Sequence, residues 1–229
     1  MRTVCRTISL GWVLLLALAS CTPGSRKLDR RVSLRHRDRI PYGTKVAFDG
    51  LPFLFPNSTI SYDDKPLSAR ASADGRTACI IVATVMDPSQ SDINSILDFV
   101  GSGNHVFISA RVFGDSLLHA LRLKAERDVY TYSLVMDSLR LSIRQPVTGD
   151  SLNFSYPGDS YEGWITGYDP KYTSVLGRDR LGRPDFVRFN YKGGGTLYLQ
   201  FAPLAFSNFF LLHKKNIAYY EAALSYLPA

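Results

Sequence analysis

Ala78-Cys79-Ile80-Ile81-Val82-Ala83-Thr84-Val85-Met86, followed at once by Asp87-Pro88-Ser89, sets the fold expectation for the whole chain. An uninterrupted apolar and β-branched run of this kind suits a strand buried on both faces of a parallel sheet. Ser89 with Asp92 makes a capping-box-like helix start. Ile93, Ile96, Leu97 and Val100 then recur at helical spacing until Gly101-Ser102-Gly103 stops the run, and His105–Ala110 reads as the next strand. Strand, capped helix, glycine stop and strand make a βαβ unit. It predicts an α/β fold class built on a doubly wound, mostly parallel sheet.

Outward from that block the pattern is less regular. Upstream, Pro41-Tyr42-Gly43-Thr44 breaks the chain and Thr44 caps a helix through about Phe55, ended by Pro56. Ser58–Tyr62 alternates like a strand, and Asp63–Thr77 is polar and reads as a loop. Downstream, a short helix over Ser116–Leu121 follows Gly114. Between about 130 and 182 come short alternating runs, among them Leu139-Arg140-Leu141-Ser142-Ile143, Leu152-Asn153-Phe154 and Trp164-Ile165, separated by turn residues. They predict a β-rich insertion or an antiparallel extension. Phe186–Tyr191 and Thr196–Phe201 alternate on either side of Gly193-Gly194-Gly195 and read as a hairpin. A last helix begins at Asn216, with Ile217, Tyr220, Leu224 and Leu227 on one face.

Charge is concentrated at the N-terminus. The chain of 229 residues carries 27 basic and 20 acidic groups, a net of +7. Arg2 and Arg6 contribute +2, and Ser25–Arg39 contributes +5 through Arg26, Lys27, Arg30, Arg31, Arg35, Arg37 and Arg39 against Asp29 and Asp38. Residues 40–229 are therefore neutral, so nucleic acid is not an expected partner despite a pI near 9.4.

Arg2 and Arg6 form a positive region before an apolar stretch from Ile8 to Ala19, and the 13 residues from Ile8 to Ser20 fall short of a membrane-spanning helix. Leu18-Ala19-Ser20-Cys21 then resembles the bacterial lipoprotein box, in which the cysteine is lipidated and becomes the mature N-terminus. The alternatives are an ordinary secretory signal or an uncleaved anchor. The expected organisation is a signal peptide over 1–20, a lipidated basic segment over 21–39 with a first strand near 32–35, and an α/β domain over 40–229. Lipid attachment at Cys21 would hold Arg26, Lys27, Arg30 and Arg31 beside anionic headgroups, each favoured by about 1 kcal/mol when close. Lys27-Leu28-Asp29 does not resemble an acidic export signal, so the expected location is the cell membrane, facing the periplasm. With Cys5 removed and Cys21 acylated, only Cys79 is left, and no internal disulfide can hold the fold.

Several short pieces together resemble the domain of unknown function 4350 family, in its bacterial lipoprotein form. They are Pro41-Tyr42-Gly43-Thr44, Asp87-Pro88, Gly103-Asn104-His105-Val106-Phe107-Ile108-Ser109, Phe113-Gly114-Asp115-Ser116, Gly195-Thr196-Leu197-Tyr198-Leu199 and Ala202-Pro203-Leu204-Ala205-Phe206-Ser207-Asn208. The resemblance spans about residues 32–228. It implies a class I glutamine amidotransferase-like, flavodoxin-like fold, often encoded near MoxR-type ATPases and other membrane proteins, and it implies no established activity.

The chemistry of that superfamily is not visible in the residues. Active amidotransferases carry a cysteine on a tight turn after a strand. Here the strand His105–Ala110 runs into Arg111 and Val112, with neither thiol nor hydroxyl at the turn. Ser109 precedes that turn, but no G-x-S-x-G elbow exposes its hydroxyl. Cys79 starts its strand, at the end opposite to where ligands bind in such sheets, and reads as a small core residue. His36, His105, His119 and His213 have no metal-ligand spacing, no C-x-x-C occurs, and no metal or cofactor is expected.

A binding site on this fold belongs at the carboxyl ends of the parallel strands. The candidates there are Tyr42, Thr44, Asp87, Arg111, Ser207 and Asn208. The expected function is a non-catalytic binding or scaffolding lipoprotein that holds an envelope protein partner. The alternative is an envelope hydrolase or transferase with an unrecognised site around Asp87, Arg111 and His119.

Overall fold

The computed structural model describes residues 29–63, 77–127, 139–156 and 163–228. The expected signal peptide over 1–20, Cys21, Arg26, Lys27 and most of the expected polar loop over 63–77 lie outside the described residues.

The βαβ unit forms where the hydrophobic pattern puts it. Strand β1 (Ala78–Met86) runs parallel to β2 (His105–Phe113), with Ala78 opposite His105 and Met86 opposite Phe113. The helix between them spans Gln90–Gly101, and the Ser89 side chain accepts a hydrogen bond from the Asp92 N–H at its start. Its buried face is Ile93, Ile96, Phe99 and Val100, each stabilising the fold by about 1.5–3 kcal/mol through burial. Gly103, at φ +93°, turns the chain into β2.

The expected doubly wound parallel sheet does not form. After β2 come β3 (Lys124–Arg127), β4 (Leu139–Arg144), β5 (Ser151–Tyr156), β6 (Gly163–Gly167), β7 (Thr173–Asp179), β8 (Pro184–Asn190) and β9 (Thr196–Gln200). The main sheet has seven strands in the order β1-β2-β9-β8-β7-β4-β5, and β3 pairs with β6 outside it. Only β1, β2 and β9 are mutually parallel; every pairing from β9 outward through β8, β7, β4 and β5 is antiparallel. The result is a mixed, sheet-rich fold and not the amidotransferase-like or flavodoxin-like layout. The connections explain why. A parallel neighbour needs a long crossover, whereas β8 and β9 are joined by the glycine turn and β4 and β5 by a short turn over 145–150.

Three local expectations are also corrected. Ala78–Met86 ends the strand order among the described residues and is half-exposed along most of its length, so it is not a strand buried on both faces. No strand forms near 32–35: Leu34 is buried with φ +50°, and the Ser33 and Leu34 N–H groups both donate to the Tyr42 carbonyl. Ser58–Tyr62 is irregular.

Alternation along β2 and β9 divides the core. Val106, Ile108, Leu197 and Leu199 face one layer with Ile93, Ile96 and Val100. Phe107 and Tyr198 face the other, which is closed by helix α1 (Lys45–Leu54), a 3-10 turn (Pro203–Phe206), a short helix over Asn208–Leu211, and a last helix over Ile217–Leu224. Gly195 allows the β8–β9 turn to approach the end of the Gln90–Gly101 helix, since a Cβ there would stand 2.0 Å from the Val100 carbonyl oxygen and 2.3 Å from that of Asn104.

Candidate functional site

Four of the six candidates meet in one corner. The loop over 35–43 folds back so that the Asn208 N–H donates to the Gly43 carbonyl at 2.8 Å and the Phe209 N–H to the Pro41 carbonyl at 2.9 Å. Asn208 then joins both segments through its side chain. Its Oδ1 accepts from the Val46 N–H at 2.8 Å, while its Nδ2 donates to the carbonyls of Asp38 and Ile40, each at 2.8 Å. Val46 lies in the first turn of α1, where a backbone N–H has no partner within the helix. Asn208 thus supplies the cap expected of Thr44. Thr44 does stand at the cap position, but its hydroxyl donates to the Leu34 carbonyl at 3.0 Å.

Ser207 and Tyr42 complete this corner. The Ser207 hydroxyl donates to the Leu204 carbonyl at 2.6 Å and accepts from the Phe210 N–H at 3.3 Å. Tyr42 accepts from the Tyr156 hydroxyl at 3.2 Å, and its ring meets Phe209 edge-on at 6.2 Å. Tyr42, Thr44, Ser207 and Asn208 are all buried. Of their side chains, that of Asn208 bridges the 33–46 and 204–210 segments; the hydroxyls of Thr44 and Ser207 bond within their own segments, and that of Tyr42 bonds Tyr156 on β5.

Asp87 and Arg111 lie at the carboxyl ends of β1 and β2. Asp87 is exposed, and a Cβ on Gly114 would stand 1.9 Å from its Oδ1, so the carboxylate lies directly over that glycine. Arg111 is half-buried, and its carbonyl oxygen would stand 3.0 Å from a Cβ on Gly163. Between the two segments runs a buried polar chain that local patterns do not reveal. The Ser109 hydroxyl donates to Gln200 Oε1, and Gln200 Nε2 donates to the Ala202 carbonyl at 3.1 Å and to the Tyr219 hydroxyl at 3.0 Å. Ser109 and Gln200 are fully buried and sit opposite each other on β2 and β9. Only their shared facing in the strand alternation could have signalled it.

Among the expected headgroup contacts, Arg30 and Arg31 are described. Arg31 binds Asp29 through Nε at 3.0 and 3.1 Å and Nη2 at 2.7 Å, holding that carboxyl below its ordinary value. Burial acts on other titrating groups: it lowers His105, whose Nδ1 lies 2.7 Å from Thr196 Oγ1, and raises Tyr220, whose hydroxyl donates to the Ala47 carbonyl at 2.7 Å. Two open surface depressions lie away from all six candidates. One of about 330 Å³ is lined by Arg140, Ser142, Asn153 and Asp179, and one of about 540 Å³ by His119, Arg122 and Lys124. Among the described residues, no group of three or more metal-ligating side chains gathers, and no helix is long and apolar enough to cross a membrane.

These features define a mixed, sheet-rich domain with one helical crossover between parallel strands and an antiparallel wing. Its fold is similar to a solved structure described as "mmIFT52 N-terminal domain", at TM-score 0.57 and 14% identity, covering 79% of this chain and 89% of that one. That likeness is one of fold alone. An exo-β-1,4-mannosidase from Opitutaceae bacterium strain TAV5 aligns at TM-score 0.47 and 16% identity over 87% of this chain and 34% of its own. A β-galactosidase from Bacillus circulans sp. alkalophilus aligns at TM-score 0.43 and 16% identity over 66% of this chain and 23% of its own. No family model matches the sequence, and no curated protein matches it.

Proposed function

We propose that this chain is a membrane-tethered lipoprotein domain of the cell envelope, attached through Cys21, facing the periplasm, and holding a protein partner without turning over a substrate. The resemblance to the domain of unknown function 4350 family, through motifs such as Pro41-Tyr42-Gly43-Thr44 and Ala202–Asn208, belongs to the same proposal.

One observation carries the binding reading. The side chains that gather beside the 3-10 turn direct their polar atoms into the fold: Asn208 makes three side-chain hydrogen bonds to backbone, Ser207 two, and Thr44 one. A general acid or base must reach a substrate atom within hydrogen-bond distance, and these groups are engaged elsewhere. Asp87 is exposed at a strand end, where a partner surface can meet it.

The test pairs two measurements on the same variants. Alanine at Asp87 or Arg111 should reduce recovery of a specific partner from detergent-solubilised membranes, with the variants folded by circular dichroism. A screen of the purified chain against amide, ester and glycoside substrates should show no turnover. Clear turnover that disappears in Asp87→Ala would replace this reading with the hydrolase or transferase.

A further inference from the structure

The corner that receives the N-terminal segment is also the place where exposed apolar side chains and positive charge coincide. Leu212 is 71% exposed, Ile217 39% and Phe209 36%, all within one short stretch after the 3-10 turn. Lys214 and Lys215 are exposed between them, and Lys214 has φ +50°, in the turn that separates the two helices. The loop bonded to Asn208 and Phe209 adds exposed Arg35, Arg37 and Arg39. Against these five cations stand the half-buried Asp38 and the exposed Glu221.

From this juxtaposition we infer that the 35–39 loop and the 209–217 turn form a docking face for an anionic lipid surface. Phe209, Leu212 and Ile217 enter the headgroup region, and Lys214, Lys215 and the three arginines contact phosphates. Apolar residues interleaved with Lys and Arg are the chemistry by which a surface lies on a bilayer. Charge complementarity and chain geometry select this occupant. In a chain acylated at Cys21, eight residues precede Asp29, and the segment they join enters the fold at this corner, because the Ser33 and Leu34 N–H groups bond Tyr42, whose ring meets Phe209. An acyl chain on Cys21 would hold the face against the membrane, and in that respect the inference rests on the tethered reading. The face adds an electrostatic and apolar contact to the anchor, so that the domain lies on the bilayer in one orientation.

The experiment uses tryptophan as a depth probe in the full chain as the cell produces it, added to vesicles carrying brominated acyl chains, with the unsubstituted chain subtracted as background. Leu212→Trp reports the proposed face. Val147→Trp is the control: Val147 is 95% exposed in the turn between β4 and β5. That turn closes the hairpin at the end away from Ser155, whose carbonyl accepts from Asn216 beside the proposed face, roughly 17 Å along the strand. The expected result is quenching at 212 and none at 147 in phosphatidylglycerol vesicles. Replacing both Lys214 and Lys215 with Gln should weaken vesicle partitioning by roughly fivefold per lysine. Equal quenching at both positions, no quenching at 212, or quenching at 212 that is unchanged in phosphatidylcholine would overturn the inference. Fatty-acid labelling of the parent chain separates the two ideas: no label with 212 quenched removes the acyl anchor and leaves the face, whereas label with 212 unquenched in vesicles removes the face and leaves the anchor.

Discussion

Truncating Asn208 to alanine removes three hydrogen bonds that tie the 38–46 segment to the helix over Asn208–Leu211. Each such bond contributes about 0.5–1.5 kcal/mol net, and a buried polar group left without a partner costs about 1–3 kcal/mol. The Val46 N–H is in the first turn of α1 and depends on this side chain, whereas the Ile40 carbonyl also accepts from the Gly43 N–H at 3.0 Å. Counting two fully orphaned groups and one partly satisfied gives a loss of about 3–5 kcal/mol, a large fraction of the roughly 5–15 kcal/mol that stabilises a domain. Urea unfolding followed by far-ultraviolet circular dichroism reads it as a fall in midpoint. Asn208→Asp should be at least as damaging at neutral pH, since it keeps the acceptor for Val46 but turns a carboxylate toward the carbonyls of Asp38 and Ile40. Thr44→Val, which loses one bond to Leu34, should cost about 1 kcal/mol. An Asn208→Ala variant within about 0.5 kcal/mol of the parent, the range of an ordinary surface change, would refute the claim that this residue is a structural joint.

Two further outcomes follow from the same packing. Gly195→Ala places a Cβ against the backbone oxygens of Val100 and Asn104, so it should displace the β8–β9 turn from the Gln90–Gly101 helix and lower the thermal midpoint by more than about 5 °C; a change under about a degree contradicts the close approach. His105 has a folded value lowered by burial from the ordinary 6.5, so the unfolded chain binds the proton more readily. Its contribution to stability is present above about pH 6.5 and is lost as pH falls through the folded value, and His105→Gln should flatten that part of the acid limb while an unchanged slope counts against it.

Local patterns carry the βαβ unit well. The β-branched run over 78–86, the Ser89 cap and the spacing of Ile93, Ile96 and Val100 each depend on residues within a few positions of one another. What they do not carry is partner choice. Whether 78–86 lies at the centre or edge of a sheet is decided by what pairs beside it, and β2 finds its other parallel neighbour in β9, 91 residues away by the Ser109–Gln200 pairing. The direction of β4, β5 and β7 likewise depends on short turns and distant strands, so one helical crossover does not license a doubly wound sheet. At the candidate corner, Thr44 occupies a true cap position, yet the cap comes from Asn208, separated from Val46 by 162 residues. No local signal marks such a bond, which engages the Asn208 side chain with backbone 162 residues away.

The tether itself is read by fatty-acid labelling and membrane fractionation of the parent chain beside Cys21→Ser. A chain tethered through Cys21 gives a labelled parent in the membrane fraction and a Cys21→Ser variant that takes up no label. A parent that takes up no label, or a variant labelled as strongly as the parent, would contradict it.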